Sequence, residues 1–257
     1  STIKGSAYAG GNGTTAVVSG NTTLSIDNSS LINKHVFGGG NAANTGEKDN
    51  TKSISTLNIA GATINGNVYG GANTAILYGK TIVNIGYNQT DYNQTDITIG
   101  GTVFGGGEAN ASGNPNYDYS FISVTEGITI SIDANNYKNF NIYGSIFGSG
   151  NASSTKGYSY INISNYGTFN NYKENISIQR TDKVTIKNSS IHLSGTTDRT
   201  NEYSTTKFSI SRVKELKLAN DSTLFLDNGT NLLEKFTSLK ITGSQEEVAT
   251  VSINDKK

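Results

Sequence analysis

One six-residue phrase recurs five times in the first 151 residues: a small or aliphatic residue, an aromatic, small residues, then usually Asn. It reads Ala7-Tyr8-Ala9-Gly10-Gly11-Asn12, Val36-Phe37-Gly38-Gly39-Gly40-Asn41 and Val68-Tyr69-Gly70-Gly71-Ala72-Asn73. Val103-Phe104-Gly105-Gly106-Gly107-Glu108 and Ile146-Phe147-Gly148-Ser149-Gly150-Asn151 complete the set. The aromatics lie 29, 32, 35 and 43 positions apart. A period that stretches by insertion while its core phrase is kept predicts a stack of similar units around one axis.

A second phrase alternates apolar with polar residues: Leu24-Ser25-Ile26, Leu57-Asn58-Ile59, Val83-Asn84-Ile85, Ile130-Ser131-Ile132 and Ile161-Asn162-Ile163. A period of two predicts strands with one buried face. Short turns follow several copies, as at Asn28-Ser29-Ser30, Gly61-Ala62-Thr63, Asn188-Ser189-Ser190 and Asn220-Asp221-Ser222. Asn and Gly accept positive φ where the chain must bend. The last two turns follow Val184-Thr185-Ile186 and Leu216-Lys217-Leu218, so the second half keeps the unit without the glycine phrase. We therefore expect one domain over 1–257, with glycine corners in 1–157 and coils without them in 158–257. Helical periodicity is weak except for one local turn at Leu232-Leu233-Glu234-Lys235-Phe236.

Composition narrows the chemistry. With 20 basic and 20 acidic residues the net charge is zero, which argues against nucleic acid as a partner, since that would need a basic face. Without Cys there are no disulfides, thiolate metal sites or Cys nucleophiles. Apolar runs stop at four or five residues, so direct membrane insertion is not expected. The chain starts at Ser1 and reads as a mature or excised piece, with any export signal or wall anchor outside it.

On coil period, inward Ile, Leu and Val, and Asn turns, the chain resembles a right-handed parallel β-helix of the pectate-lyase-like class, as found in surface adhesins of Gram-positive bacteria. The resemblance covers nearly the whole length and implies an all-β solenoid of about eight coils. It also implies an extracellular place at the cell surface or wall, and binding of host glycan or extracellular protein without catalysis.

Stacking would superpose Asn12, Asn41, Asn73 and Asn151 as a row of side-chain amides, interrupted by Glu108. Tyr8, Phe37, Tyr69, Phe104 and Phe147 would form a second row. By alternation their preceding neighbours point inward, so the aromatics face away from the core, either packed on one another or exposed as a sugar-binding stripe.

Insertions in a solenoid gather on one face, and that face often binds. The long loops after the corners are about 42–53 and 109–120. The second carries Asn114, Asn116, Tyr117, Asp118 and Tyr119, a polar and aromatic mix suited to sugar or protein, and Glu108 stands at its root. Tyr87-Asn88-Gln89-Thr90-Asp91 repeats as Tyr92-Asn93-Gln94-Thr95-Asp96, which reads as a slippage duplication.

No catalytic set emerges. Lyases and glycosidases need paired carboxylates, or a carboxylate with Arg or Lys, but Glu47, Asp49, Glu108, Asp118, Glu126 and Asp133 are scattered. Arg is scarce, at Arg180, Arg199 and Arg212 only. His35 and His192 have no metal spacing and read as surface residues. No metal or cofactor is expected. Two alternatives stand beside the adhesin: a polysaccharide lyase or glycoside hydrolase, and a purely structural stalk that self-associates. An ice-binding face would need outward Thr at every coil; Thr56, Thr81 and Thr129 are candidates, but Ser and Tyr break the row.

Overall fold

The computed structural model describes residues 1–27, 29–86, 96–109, 121–135, 137–167, 177–193, 210–219, 221–227, 236–241 and 249–254. Within them the chain is an all-β parallel solenoid, and every pairing between strands is parallel. The long-strand face stacks Thr22–Ile26, Ser53–Ile59, Gly79–Ile85, Gly127–Asp133, Tyr158–Ser164, Ile178–Lys187, Ile210–Ala219 and Phe236–Ile241. Its register joins the alternating phrases without a slip. Leu24 pairs with Leu57, then follow Val83, Ile130, Ile161, Val184 and Leu216. Two residues on, Ile26, Ile59, Ile85, Ile132, Ile163, Ile186 and Leu218 form a parallel column.

A second face stacks Thr2–Ile3, Ser30–Ile32, Ala62–Ile64, Ile97–Ile99 and Phe140–Ile142. A third stacks the two-residue strands Ala7–Tyr8, Val36–Phe37, Val68–Tyr69, Val103–Phe104 and Ile146–Phe147. Ile64, Ile99, Val68 and Val103 from these faces join the columns above in one buried core. Strands of two or three residues have no stability alone; each buried Ile or Leu adds about 1.5–3 kcal/mol, and only the stack provides that burial.

The turns that follow the long strands use left-handed backbone at Ser29, Gly61, Asn165, Asn188 and Asp221. At the corners after the third face, glycine answers a different need, which is close approach. Thr22, Ser55 and Thr81 lie buried in the long-strand face, and their hydroxyls donate to the carbonyls of Gly38, Gly70 and Gly105 at 2.8, 3.0 and 2.7 Å. Thr81 therefore faces inward, in the same parity as Val83 and Ile85, and is lost to any outward threonine array. His192 is also buried, on the strand Ser190–Leu193, contrary to the surface position expected of it.

The second half departs from the first in a way the alternating phrase hid. Ile178–Lys187 takes the place of two earlier strands: Ile178 and Gln179 pair with Ile146 and Phe147, while Lys183 to Lys187 pair with Tyr160 to Ser164. The corner segment is gone, and a bend at Arg180 replaces it, with φ at 51°. Arg212 makes the same bend one coil on, at 54°, between Ser211 and Val213, which pair with Gln179 and Thr181. The glycine phrase ends where the corner it served ends.

Candidate functional site

The aromatic row is a packed stack. Neighbouring ring centroids from Tyr8 to Phe147 are 4.9, 4.6, 5.0 and 5.1 Å apart, and the first three pairs lie within 7° of parallel. Coil spacing, about 4.8 Å, imposes this face-to-face arrangement. Phe37, Tyr69 and Phe104 are buried in a cluster separate from the main core, with Tyr8 and Phe147 half-covered at its ends. Tyr8, Phe37, Tyr69, Phe104 and Phe147 thus point away from the core, as alternation predicts, but do not form an exposed stripe. His35 meets Phe37 and Tyr69 edge-on, and its Nδ1 accepts the Asn67 N–H at 2.9 Å.

Beside the stack runs the amide row. Backbone bridges link Asn12, Asn41, Asn73, Glu108 and Asn151 in sequence. Asn41 Nδ2 donates to Asn12 Oδ1 at 2.8 Å, and Asn73 Nδ2 to Asn41 Oδ1 at 2.7 Å. Glu108 accepts from Asn151 Nδ2 at 2.9 Å through one oxygen and from the Tyr69 O–H through the other. A carboxylate has no proton to pass to Asn73, so at this step the row is tied to the aromatic stack instead. Glu108→Ala would leave the Tyr69 hydroxyl and the Asn151 amide without their acceptor, and a loss of about 1–3 kcal/mol is expected. Glu108→Gln keeps an acceptor and adds a donor, so it should lose less. Denaturant midpoints of the two variants check this; equal losses would show that the carboxylate's hydrogen bonds contribute nothing.

Among the described residues three phenols are shifted upward. Burial lifts Tyr69 well above its usual range, and the bond to Glu108 lifts it further. Tyr166, packed edge-on to Phe140, is pushed by burial to about 12 against a backbone hydrogen bond from Ile142 that lowers it. Burial and then the Asp133 charge push Tyr137 up to about 12. The folded chain holds these protons where the unfolded chain releases them. Their stabilisation is therefore complete below about pH 10 and is lost as pH rises toward the folded values, at about 1.4 kcal/mol per pH unit for each fully buried phenol. Unfolding midpoints between pH 8 and 12 should be level at first and then fall; a midpoint that stays level to pH 12 would contradict the burial of Tyr69 and Tyr166.

The cleft opens where the coil type changes. Residues 148–157 form the last glycine corner among the described residues, and Ile178–Lys187 and Ile210–Ala219 run through its place with a bend at Arg180 and Arg212. The resulting space of about 380 Å³ is lined by Ser149, Ser153 and Thr155 from the corner and by Arg180, Arg212 and Lys214 from the strands below. The Arg180 guanidinium lies 5.9 Å from the Phe147 ring centroid, at the end of the aromatic stack. Asp182, also in the wall, accepts the Ser159 N–H at 2.8 Å and pairs with Lys214, and that pairing raises the lysine's pKa. Thr181 Oγ1 donates to the Ser159 carbonyl at 2.9 Å and holds the bend. At the outer margin Tyr158 and Tyr160 lie on one face of their strand with rings 6.1 Å apart and nearly parallel. Tyr158 is 71% exposed and close enough to Lys214 for the two to interact electrostatically.

Sequence reading placed the candidate ligand residues elsewhere. Asn114, Asn116, Tyr117, Asp118 and Tyr119 lie outside the described residues, as do most of the tandem Tyr-Asn-Gln-Thr-Asp copies and residues 231–235. Glu108 is engaged in the amide row. Counting Arg180, Arg199 and Arg212 together as scarce does not reveal the recess, because the register that aligns Arg180 with Arg212 is not part of that count. A signal was available: Ile178-Gln179-Arg180 and Ile210-Ser211-Arg212 each stand four residues before Val184 or Leu216 of the alternating phrase.

Among the described residues no three His, Cys, Asp or Glu side chains come together as a metal site, and no helix is long and apolar enough to cross a membrane. Comparison with family models, curated proteins and solved structures returned no match.

Proposed function

We propose that the chain is a non-catalytic segment of a bacterial cell-surface adhesin that takes host glycan or an extracellular protein on one lateral face. The observation that carries this reading is the ledge at Arg180: a polar, partly cationic recess with exposed tyrosines at its margin, built into an eight-strand ladder that holds it rigid. Rigid recesses of this kind lower the ordering cost of binding. Asp182, the carboxylate among the described lining residues, is already occupied by Ser159 and Lys214. An extracellular setting fits a chain without cysteine and rests on the resemblance stated above.

A second reading has one observation in its favour. The cleft brings a carboxylate together with Arg and Lys, an arrangement that a polysaccharide lyase on such a solenoid would use. The deciding experiment incubates the 257-residue protein with a panel of glycans and matrix proteins, measuring retention and released products together. Retention without new reducing ends or unsaturated sugars is expected. Release of either product transfers the chain to the enzymes, and retention of nothing leaves a structural stalk.

A further inference from the structure

We infer that the open edge of the strand Ser154–Thr155, inside the recess, docks an extended peptide segment of a protein partner through parallel backbone pairing. The inference rests on the lateral-face reading and selects protein from the two ligand classes that reading allows.

An unfinished ladder is the first reason. Val18, Thr45, Leu77 and Val124 pair in sequence along the glycine-corner lobe, and Val124 pairs with Thr155. Each layer is covered by the next until Ser154–Thr155. That strand pairs with Ile122–Val124 on one side and with no strand among the described residues on the other. The break lies within the chain, where Ile178–Lys187 bends at Arg180 instead of forming another corner. In the layers above, Leu77 donates its N–H to the Ser123 carbonyl and accepts from the Thr125 N–H, so both its polar groups point to the next layer. At the last layer Ser154 and Lys156 donate back to the Phe121 and Val124 carbonyls. The N–H and C=O of Thr155 between them are therefore directed away from the ladder, toward the recess. Burial follows the same pattern: Thr45, Leu77 and Val124 are fully buried, whereas Thr155 at the end of their column is half-buried.

The second reason is what the recess admits. Ser154, Thr155 and Gly157 line it, and about 380 Å³ suits a short extended segment. A residue set against Thr155 continues the column of Leu77 and Val124, so an aliphatic or threonine side chain fits there. Ser149 limits the occupant at the other end. Glycine holds that place in every corner above, where a Cβ on Gly39, Gly71 or Gly106 would come within 2.9 Å of the next corner's backbone. Ser149 thus bars another complete corner and confines the occupant to a short strand beside Thr155. Asp182 and Lys214 in the wall are paired with each other, so recognition falls to the backbone. A saccharide has no alternating N–H and C=O groups to match such an edge.

The probe is a fluorescein-labelled peptide with blocked ends that copies residues 121–125, which contain the strand already paired with the other edge. Its anisotropy is measured against the 257-residue protein. A Kd on the order of 1 mM or tighter is expected. Of two versions N-methylated on opposite alternate residues, one should bind at least about tenfold more weakly than the other, because a paired strand uses the N–H groups of one edge. Raising salt to 0.5 M should change binding less than about twofold, since no ion pair is involved. Thr155→Pro removes the N–H aimed at the recess without breaking a bond of the ladder above, and should weaken binding at least about tenfold. Thr155→Lys puts a charge on the edge and should weaken it likewise. Tyr143→Ala, which removes a side chain 61% exposed beyond Phe140–Ile142 on the second face, should leave it unchanged. Thermal melts check the folding of the variants, and the two N-methylated peptides test the inference on unaltered protein. Equal binding of those two peptides, no binding of the parent peptide at millimolar concentration, or unchanged binding by both Thr155 variants overturns the inference. A glycan or matrix protein retained equally by the parent and by Thr155→Pro also overturns it, while leaving the lateral-face reading intact.

Discussion

A Gly70→Ala chain is expected to lose at least about 3 kcal/mol of stability, at the upper end of what overpacking costs. A Cβ built on Gly70 falls 2.3 Å from the Gly105 carbonyl oxygen, 2.9 Å from Val83 Cγ2 and 3.0 Å from Thr81 Cβ. None of these is the loose end of a flexible side chain. The carbonyl belongs to the next coil and accepts the Thr81 hydroxyl, so moving it breaks a buried hydrogen bond as well. Gly38 is confined alike, 2.4 Å from both the Gly70 oxygen and Ser55 Oγ. Gly5 and Gly20 have nothing within 4 Å of the same position, and alanine there should change stability by less than about 0.5 kcal/mol. Urea midpoints of the four variants decide the matter. A Gly70→Ala midpoint matching that of Gly5→Ala would mean the coils do not lie as close as described.

Phe37→Ala should cost about 3–5 kcal/mol, comparable with a core deletion although the ring lies outside the main core. Tyr8 and Tyr69 cover its two faces at 4.9 and 4.6 Å, and 2% of the residue is exposed. Removing it opens a gap in the middle of a column that backbone pairing prevents from closing. Tyr8→Ala, at the half-covered end, should cost less than half as much. The chain has no Trp, so tyrosine emission can follow both unfolding transitions. Similar losses for the two variants would indicate that the rings gain nothing from being stacked in series.

Much of this architecture could be read from residue order. The alternating phrases at Leu24, Leu57, Val83, Ile130 and Ile161 are the residues that pair, because a period of two leaves only one parity for the core and the coil above fixes the register. The amide and aromatic rows follow from the same register. Thr81 reads as a candidate for an outward threonine row, whereas here a corner carbonyl across the coil satisfies its hydroxyl. His192 is buried although it alternates with the core residue Ile191, so the parity of Ser190–Leu193 alone points it away from the core, as its polarity does. The ledge was harder still. It arises from the loss of a segment between two strands, and a gap in one coil has meaning only against the corner retained in the coil above. Arg180 and Arg212 share a wall through that stacking and through nothing local in the chain.

Every link between coils in this ladder runs parallel to the long axis, while the covalent chain circles it. Tension applied at the two ends would therefore meet one coil's worth of hydrogen bonds at a time, and the molecule would peel from whichever extremity is weaker. Its resistance to pulling would depend on the poorest single layer, whatever its total length. A body that must hold on under flow would gain by tying adjacent layers together with side chains, as Asn41 and Asn73 do on the layers before them.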